Sequence, residues 1–285
     1  MSKTKQRKGL TRNTIDKYYT SSEIVKHCIL EIENHLDINK SQDLCIEPSA
    51  GNGAFITSLK DAFENTRFFD IEPEHPDVEK QDYLELALDI SEFRKVHVIG
   101  NPPFGRQSSL AIKFIRHAAT FCDTISFILP KSFKKDSMKD KVPNNFHLIN
   151  ETDLESESFT VEGNSYDVPC TFQIWEKRDH DRASRVKLEP NGYRFVKKSE
   201  GPDISIRRVG VNAGEVNMET STKSEQSHYF IKFDGEVPHG LEELKSRVQA
   251  FATSTVGPKS ISKQELIGIL NESSLPVGVN LSPDL

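Results

Sequence analysis

At 285 residues the chain is long enough for one average domain and a smaller second one. Only 35% of it is hydrophobic, and no run approaches the roughly 20 apolar residues of a membrane span, which sets aside a membrane protein. The net charge of −6 argues against a uniformly basic nucleic-acid binder, but the charge is strongly segregated.

In chain order, residues 1–15 read as a basic, mobile tail. From Ser21 to Leu36 the apolar positions Ile24, Val25, Cys28, Ile29, Ile32 and Leu36 recur at helical spacing, with Ser21 or Ser22 as N-cap. DLCIEP (43–48) reads as a buried strand, and the turn SAGNG opens a helix over about 54–63. RFFDIEP (67–73) is a second strand and QDYLEL (81–86) a third, while KVHVIGNPPF (95–104) contains a fourth that ends in prolines. A helix at 110–121, strands at 124–130, 146–150 and 168–177, and the strand–helix alternation throughout predict a right-handed, doubly wound, mostly parallel α/β sheet of seven strands. Beyond about Arg178 the period-2 fragments YRFV, ISIRRVGV and HYFIKF, set between Gly, Pro and Ser clusters, suggest a smaller β-rich module followed by two short helices at 241–252 and 262–272. The expected organisation is a tail at 1–15, a main domain at 16–180 and a C-terminal module at 181–285.

The cations gather in three places. Residues 1–17 hold six (Lys3, Lys5, Arg7, Lys8, Arg12, Lys17) against Asp16, KSFKKDSMKDK at 131–141 has five lysines against two aspartates, and 177–198 has eight cations against three acids. Such segregation suits either a phosphate-binding face on an acidic body or a solvated tail and linker. Lys131, Lys134, Arg207 and Arg208 are the candidate substrate contacts, and of the Arg pair a strand would aim only one at a given face. Cys28, Cys45, Cys122 and Cys170 show neither CxxC pairing nor zinc spacing, so no metal is expected. They read as small buried apolar residues in a reduced cytosolic or nuclear compartment.

Three segments carry chemistry. EPSAGNGAF (47–55) follows a strand and precedes a helix. Gly51 and Gly53 permit close backbone approach to a ligand or simply a tight turn, and neither GxGxxG nor GK[ST] is present. Asp70 and Asp82 come at the ends of the next two predicted strands, where doubly wound sheets bind ligands; Asp70 suits ribose hydroxyls and Asp82 an adenine amine, with Tyr83 against the ring. Both also fit ordinary loop acids. The third segment is Asn101-Pro102-Pro103-Phe104. An aromatic amine is a poor nucleophile because its lone pair is delocalised, so methylating it calls for two acceptors on its two N–H bonds. The Asn101 amide oxygen and the Pro102 carbonyl supply them on a loop that two prolines stiffen, and Phe104 offers a ring for an unstacked base.

Taken together, EPSAGNGAF, DIEP, QDYL and NPPF in this order and spacing resemble the N6-adenine DNA methyltransferases of the γ arrangement, over about residues 16–177. The upstream DKYYTSSEIV (16–25) resembles the cofactor-binding segment that leads in that arrangement. The resemblance implies a Rossmann-like methyltransferase sheet and S-adenosylmethionine as cofactor. It implies that Tyr19, Thr20, Glu47 and Gly51 serve the methionine end, with Pro48, Ser49, Asn52, Gly53 and Phe55 in the same loop. Asp70 and Ile71 would serve the ribose, Asp82 and Tyr83 the adenine, and Asn101 to Phe104 the chemistry, Asn101 also bordering the cofactor. It implies DNA as partner. N6-adenine methylation of RNA, methylation of a protein glutamine, and an inactive nucleic-acid-binding module remain the alternatives; an NAD-dependent oxidoreductase fits poorly without GxGxxG.

Overall fold

A computed structural model describes residues 19–154, 159–161, 164–166, 169–183, 185–235, 241–252 and 259–273. The expected tail at 1–15 lies outside the described residues. The chain divides into two compact units, one up to Arg182 and one from Ala183.

The first unit runs β1 (Tyr19–Thr20), α1 (Ser22–His35), β2 (Leu44–Glu47), α2 (Ile56–Ala62), β3 (Asn65–Asp70), β4 (Glu79–Lys80), β5 (Val96–Gly100), α3 (Ser109–Ala118), β6 (Thr124–Pro130), α4 (Asp136–Lys139), β7 (Phe146–Asp153), β8 (Phe159–Val161), β9 (Asn164–Tyr166) and β10 (Cys170–Lys177). Its main sheet has seven strands in the order β4-β3-β2-β5-β6-β10-β7. All pairs from β4 to β6 are parallel, and β10 is antiparallel to both β6 and β7. This is the expected Rossmann-like, mostly parallel, doubly wound fold.

Two apolar layers explain why the sheet is wound on both faces. Successive residues of one strand point to opposite sides, so Cys45 and Ile99 join the layer that includes Val25, Cys28 and Leu59, while Ile46 and Val98 join Phe114 and Ile115 on the other. β2, β5 and β6 are buried along their whole length, as central parallel strands covered on both faces must be. Helix α1 starts where the Ser21 hydroxyl accepts the Ile24 amide at 3.4 Å, and it buries Ile24, Val25, Cys28 and Ile32. All four cysteines are buried and free. At the amino ends of the strands, fully buried Asp43 accepts two hydrogen bonds from Arg94 and one from the Asn39 amide, and it meets His97 Nε2 at 3.2 Å. Burial would raise that carboxyl, but these partners outweigh it and hold it at about 2.

One expectation needs correction, and one small sheet was not foreseen. QDYLEL is not a strand: β4 is the two residues before it, and Tyr83–Glu85 forms a 3₁₀ turn. The cause is local, because the Asp82 carboxylate captures the Leu84 amide at 2.9 Å and curls the chain. The sequence pattern also gave no sign of a three-stranded sheet in the order β1-β8-β9, whose two- and three-residue strands are too short to show a period.

The second unit contains β11 (Tyr193–Phe195), β12 (Ile204–Arg207), β13 (Val216–Asn217), β14 (His228–Phe233), α5 (Leu241–Ala252) and α6 (Lys263–Ser273). Its strands form one antiparallel sheet in the order β11-β14-β12-β13. Ile204, Ile206 and Ile231 of the sheet share a core with Leu244 and Val248 of α5 and Leu266 and Leu270 of α6. No helix among the described residues is long and apolar enough to cross a membrane.

Candidate active site

A cavity of about 500 Å³, in the usual range for a small-molecule site, opens beyond the carboxyl ends of β2, β3 and β5. The three segments singled out in the sequence converge on it.

The glycine loop leaves β2 after Glu47 and is pinned to β3. The Ala50 amide donates to the Phe69 carbonyl at 2.9 Å, and the Gly51 amide donates to Asp70 Oδ2 at 2.8 Å. Asp70 Oδ1 accepts the Glu72 amide at 2.8 Å, so one carboxylate braces the backbone on both sides of the cavity rim. Gly53 turns with φ +85°, and a Cβ there would stand 2.8 Å from Ile56 Cδ1 and 2.9 Å from the His75 ring. Gly53 does not line the cavity, so its work is in the turn. Pro48, Ser49, Gly51 and Asn52 do line it; Phe55 also reaches it but is 1% exposed and belongs chiefly to the core.

Glu47 is the chemically unusual member. It lines the cavity, is 2% exposed, and its Oε2 has no hydrogen-bond partner among the described residues. It lies against Gly100, where a Cβ would stand 3.1 Å from its Cγ. Burial, and secondarily the charge of Asp70, push its carboxyl up to about 8. With the folded value above the ordinary 4.5, the contribution of this group to stability is full below about 4.5 and is lost as pH rises through about 8. Thermal unfolding of the ligand-free protein across that range is expected to show this loss, and Glu47→Gln to flatten it. An identical pH slope in the variant would mean that Glu47 ionises normally.

Asp70 ends β3, and the next residue, Ile71, is a large apolar side chain left 53% exposed at the cavity. Asp82 is exposed and lines the same cavity while capping the 3₁₀ turn. Tyr83 reaches the cavity but is 1% exposed, its ring wedged 5.0 Å from Phe114 and 4.9 Å from His117. Its ring is therefore committed to the core and not free to stack on a ligand.

Asn101 to Phe104 follow β5 and all four line the cavity. The Asn101 backbone carbonyl accepts the Ser49 hydroxyl at 3.2 Å, and its side-chain amide donates to Thr20 Oγ1 at 3.2 Å across 81 residues of chain. Thr20 is itself held in β1 by pairing with Phe159 of β8. No described residue donates a hydrogen bond to the Pro102 carbonyl. Phe104 is half-buried against the layer of α1 and α2, and its carbonyl accepts the Leu110 and Ala111 amides of α3 at 3.1 and 3.3 Å. Between them Gln107 and Ser108, neither a glycine, adopt φ of 54° and 58°, a strained connection immediately behind the loop.

The cavity also takes Gln81 and Leu84 of QDYL, to which the sequence assigned no role, and Glu74, Leu110 and Phe114, which carried no motif; Leu110 and Phe114 were legible only as apolar positions of a helix. The Tyr19 side chain lies outside the described residues. Lys131 and Lys134 do not line the cavity; both pair with Asp153, at 3.2 and 2.7 Å, and Lys139 pairs with Glu151 at 3.0 Å, so the lysine-rich segment is partly neutralised. Arg207 and Arg208 belong to the second unit and donate through Nε to the carbonyls of Val209 and Gln226.

No family model matches the chain, and no curated protein matches it. Among solved structures the chain is similar to a Pyrococcus horikoshii protein named as an RNA methyltransferase, with 14% identity and a TM-score of 0.46, covering 57% of this chain and 87% of that one. It is similar to the 23S rRNA methyltransferase ErmE, with 13% identity and a TM-score of 0.42, covering 59% and 73%. It is similar as well to magnesium protoporphyrin IX methyltransferase from Synechocystis PCC 6803, with 12% identity and a TM-score of 0.38, covering 55% and 79%.

Proposed function

We propose that the first unit transfers a methyl group from S-adenosylmethionine to the exocyclic N6 amine of adenine in nucleic acid, with DNA as substrate. The observation that carries this reading is the convergence of Asn101–Phe104 and the glycine loop on one cavity, with Asn101 held by Thr20 and Ser49. The buried Glu47 carboxyl, whose Oε2 has no partner among the described residues, suits the ammonium of the cofactor's methionine end, against which it would ionise, and exposed Ile71 beside Asp70 suits its adenosine end, with Asp82 as acceptor for the adenine amine. S-adenosylmethionine supplies an electrophilic methyl group on a sulfonium sulfur.

The chain's own residues act on the other reactant. The Asn101 amide oxygen and the Pro102 carbonyl each accept one N–H of the target amine, which localises the lone pair out of the ring and aims it. Phe104 supplies a face for the unstacked base, a contact worth about 1–3 kcal/mol. The methylated amine then loses its extra proton to water, so no general base is demanded. Transfer of labelled methyl to DNA, followed by nucleoside analysis, tests the reading: label in N6-methyladenine supports it. Label confined to RNA adenine or protein glutamine would move the substrate, and none in any acceptor would overturn it.

Thr20 is the positioning residue for Asn101. Its hydroxyl accepts from the amide NH₂ and so fixes which way the amide is turned. Thr20→Val is expected to lower kcat by about tenfold, the effect of one lost hydrogen bond of roughly 1.5 kcal/mol, and Thr20→Ser to restore it. A serine variant as impaired as the valine variant would show that packing, not the hydroxyl, matters.

A further inference from the structure

The second unit carries a feature that the proposed chemistry does not use. Phe195 of β11 and Tyr229 of β14 pack edge to face, with ring centroids 5.7 Å apart. Lys263, the first residue of α6, places Nζ 4.4 Å from the Phe195 centroid, and Arg208, just past β12, places Cζ 6.0 Å from the Tyr229 centroid. Cation, ring, ring and cation therefore form a continuous run contributed by a helix, two strands and the residue that follows a third. Both rings are half-buried, and both cations are exposed.

Core packing explains why both rings are partly buried, since they pack against the apolar layer of the unit. It does not explain the cations. Neither Lys263 nor Arg208 has a carboxylate partner among the described residues, although the chain as a whole is acidic. A cation with no carboxylate partner beside an aromatic ring is what an anionic, flat ligand requires: a charge for the phosphate and a surface for the base. A duplex presents phosphates but hides its base faces, whereas a single strand presents both.

We infer that the Lys263–Phe195–Tyr229–Arg208 ridge binds a single-stranded segment of nucleic acid, stacking unpaired bases on the rings and holding phosphates with the two cations. The inference rests on the reading of this chain as one that acts on nucleic acid, and it names the part of the substrate that the second unit holds. Stacking and phosphate contacts do not use the 2′-hydroxyl, so single-stranded DNA and RNA of one length are expected to bind alike.

The test is fluorescence anisotropy with the full chain, no cofactor and a short labelled oligothymidylate. Phe195→Leu with Tyr229→Leu is expected to weaken binding by about tenfold or more while leaving the salt dependence in place. Lys263→Gln and Arg208→Gln are each expected to make the slope of log affinity against log salt shallower by about 0.7. Wild-type affinity in the leucine pair, or unchanged slopes in the glutamine variants, would overturn the proposal. So would equal affinity for a duplex of the same length, or equally good competition by polyglutamate, which would indicate an acidic protein partner. If the leucine pair does not fold, the glutamine variants at exposed positions decide alone. Binding needs no methyl transfer, so ring-dependent affinity in a protein that methylates nothing would spare this surface and sink the proposed function, and the reverse result would do the opposite.

Discussion

Asn101→Ala is expected to lower the rate of methyl transfer by about 100-fold or more, the usual cost of deleting a preorganised acceptor aimed at the reacting group. Cofactor affinity should change little, because the amide is proposed to act on the target amine and the cavity keeps its glycine loop, Glu47, Asp70 and Asp82. Single-turnover methylation with isothermal titration of the cofactor separates the two. Asn101→Asp is the more searching variant. It keeps an acceptor but cannot donate to Thr20 Oγ1, and it adds a further carboxylate to a cavity already lined by Glu47, Asp70 and Asp82. It is expected to fall between alanine and wild type. Full activity in Asn101→Ala would remove the central reading of this site.

The elements that periodicity can encode were legible in the sequence. Strand β6 and helix α5 have the bounds read from their apolar patterns, and Ser21 caps α1 as its position before the apolar repeat suggests. Where one side chain rewrites the local backbone, the pattern misleads: Asp82 turns QDYLEL into a 3₁₀ turn through one hydrogen bond. Tyr83 shows a second limit, because sequence places it beside the site but cannot show that Phe114 and His117 close over its ring. Contacts between distant segments are the third. The Thr20–Asn101 bond and the β1–β8 pairing join parts of the chain that no local pattern relates, and they decide how the Asn101 amide is held.

Asp70→Ala is expected to weaken cofactor binding by roughly 10- to 100-fold, and the structure locates the cause partly in the loop itself. Both carboxylate oxygens are already engaged, Oδ2 with the Gly51 amide and Oδ1 with the Glu72 amide, each at 2.8 Å. A hydrogen bond to a charged acceptor contributes about 1.5–3 kcal/mol, so alanine frees two backbone donors and loosens the glycine loop as well as removing the acceptor proposed for a ribose hydroxyl. Each oxygen has a second lone pair, so bracing the loop and receiving a ligand hydroxyl are compatible. Asp70→Asn separates the two roles. Its single carbonyl oxygen can serve Gly51 or Glu72 but not both, and its NH₂ faces whichever amide is left. It is expected to lose nearly as much cofactor affinity as alanine. Hydrogen exchange of the Gly51 and Glu72 amides should rise in both variants without cofactor present. Wild-type cofactor affinity together with unchanged exchange at Gly51 would show that the loop is held by the Ala50–Phe69 backbone bond alone and that Asp70 is an ordinary rim acid.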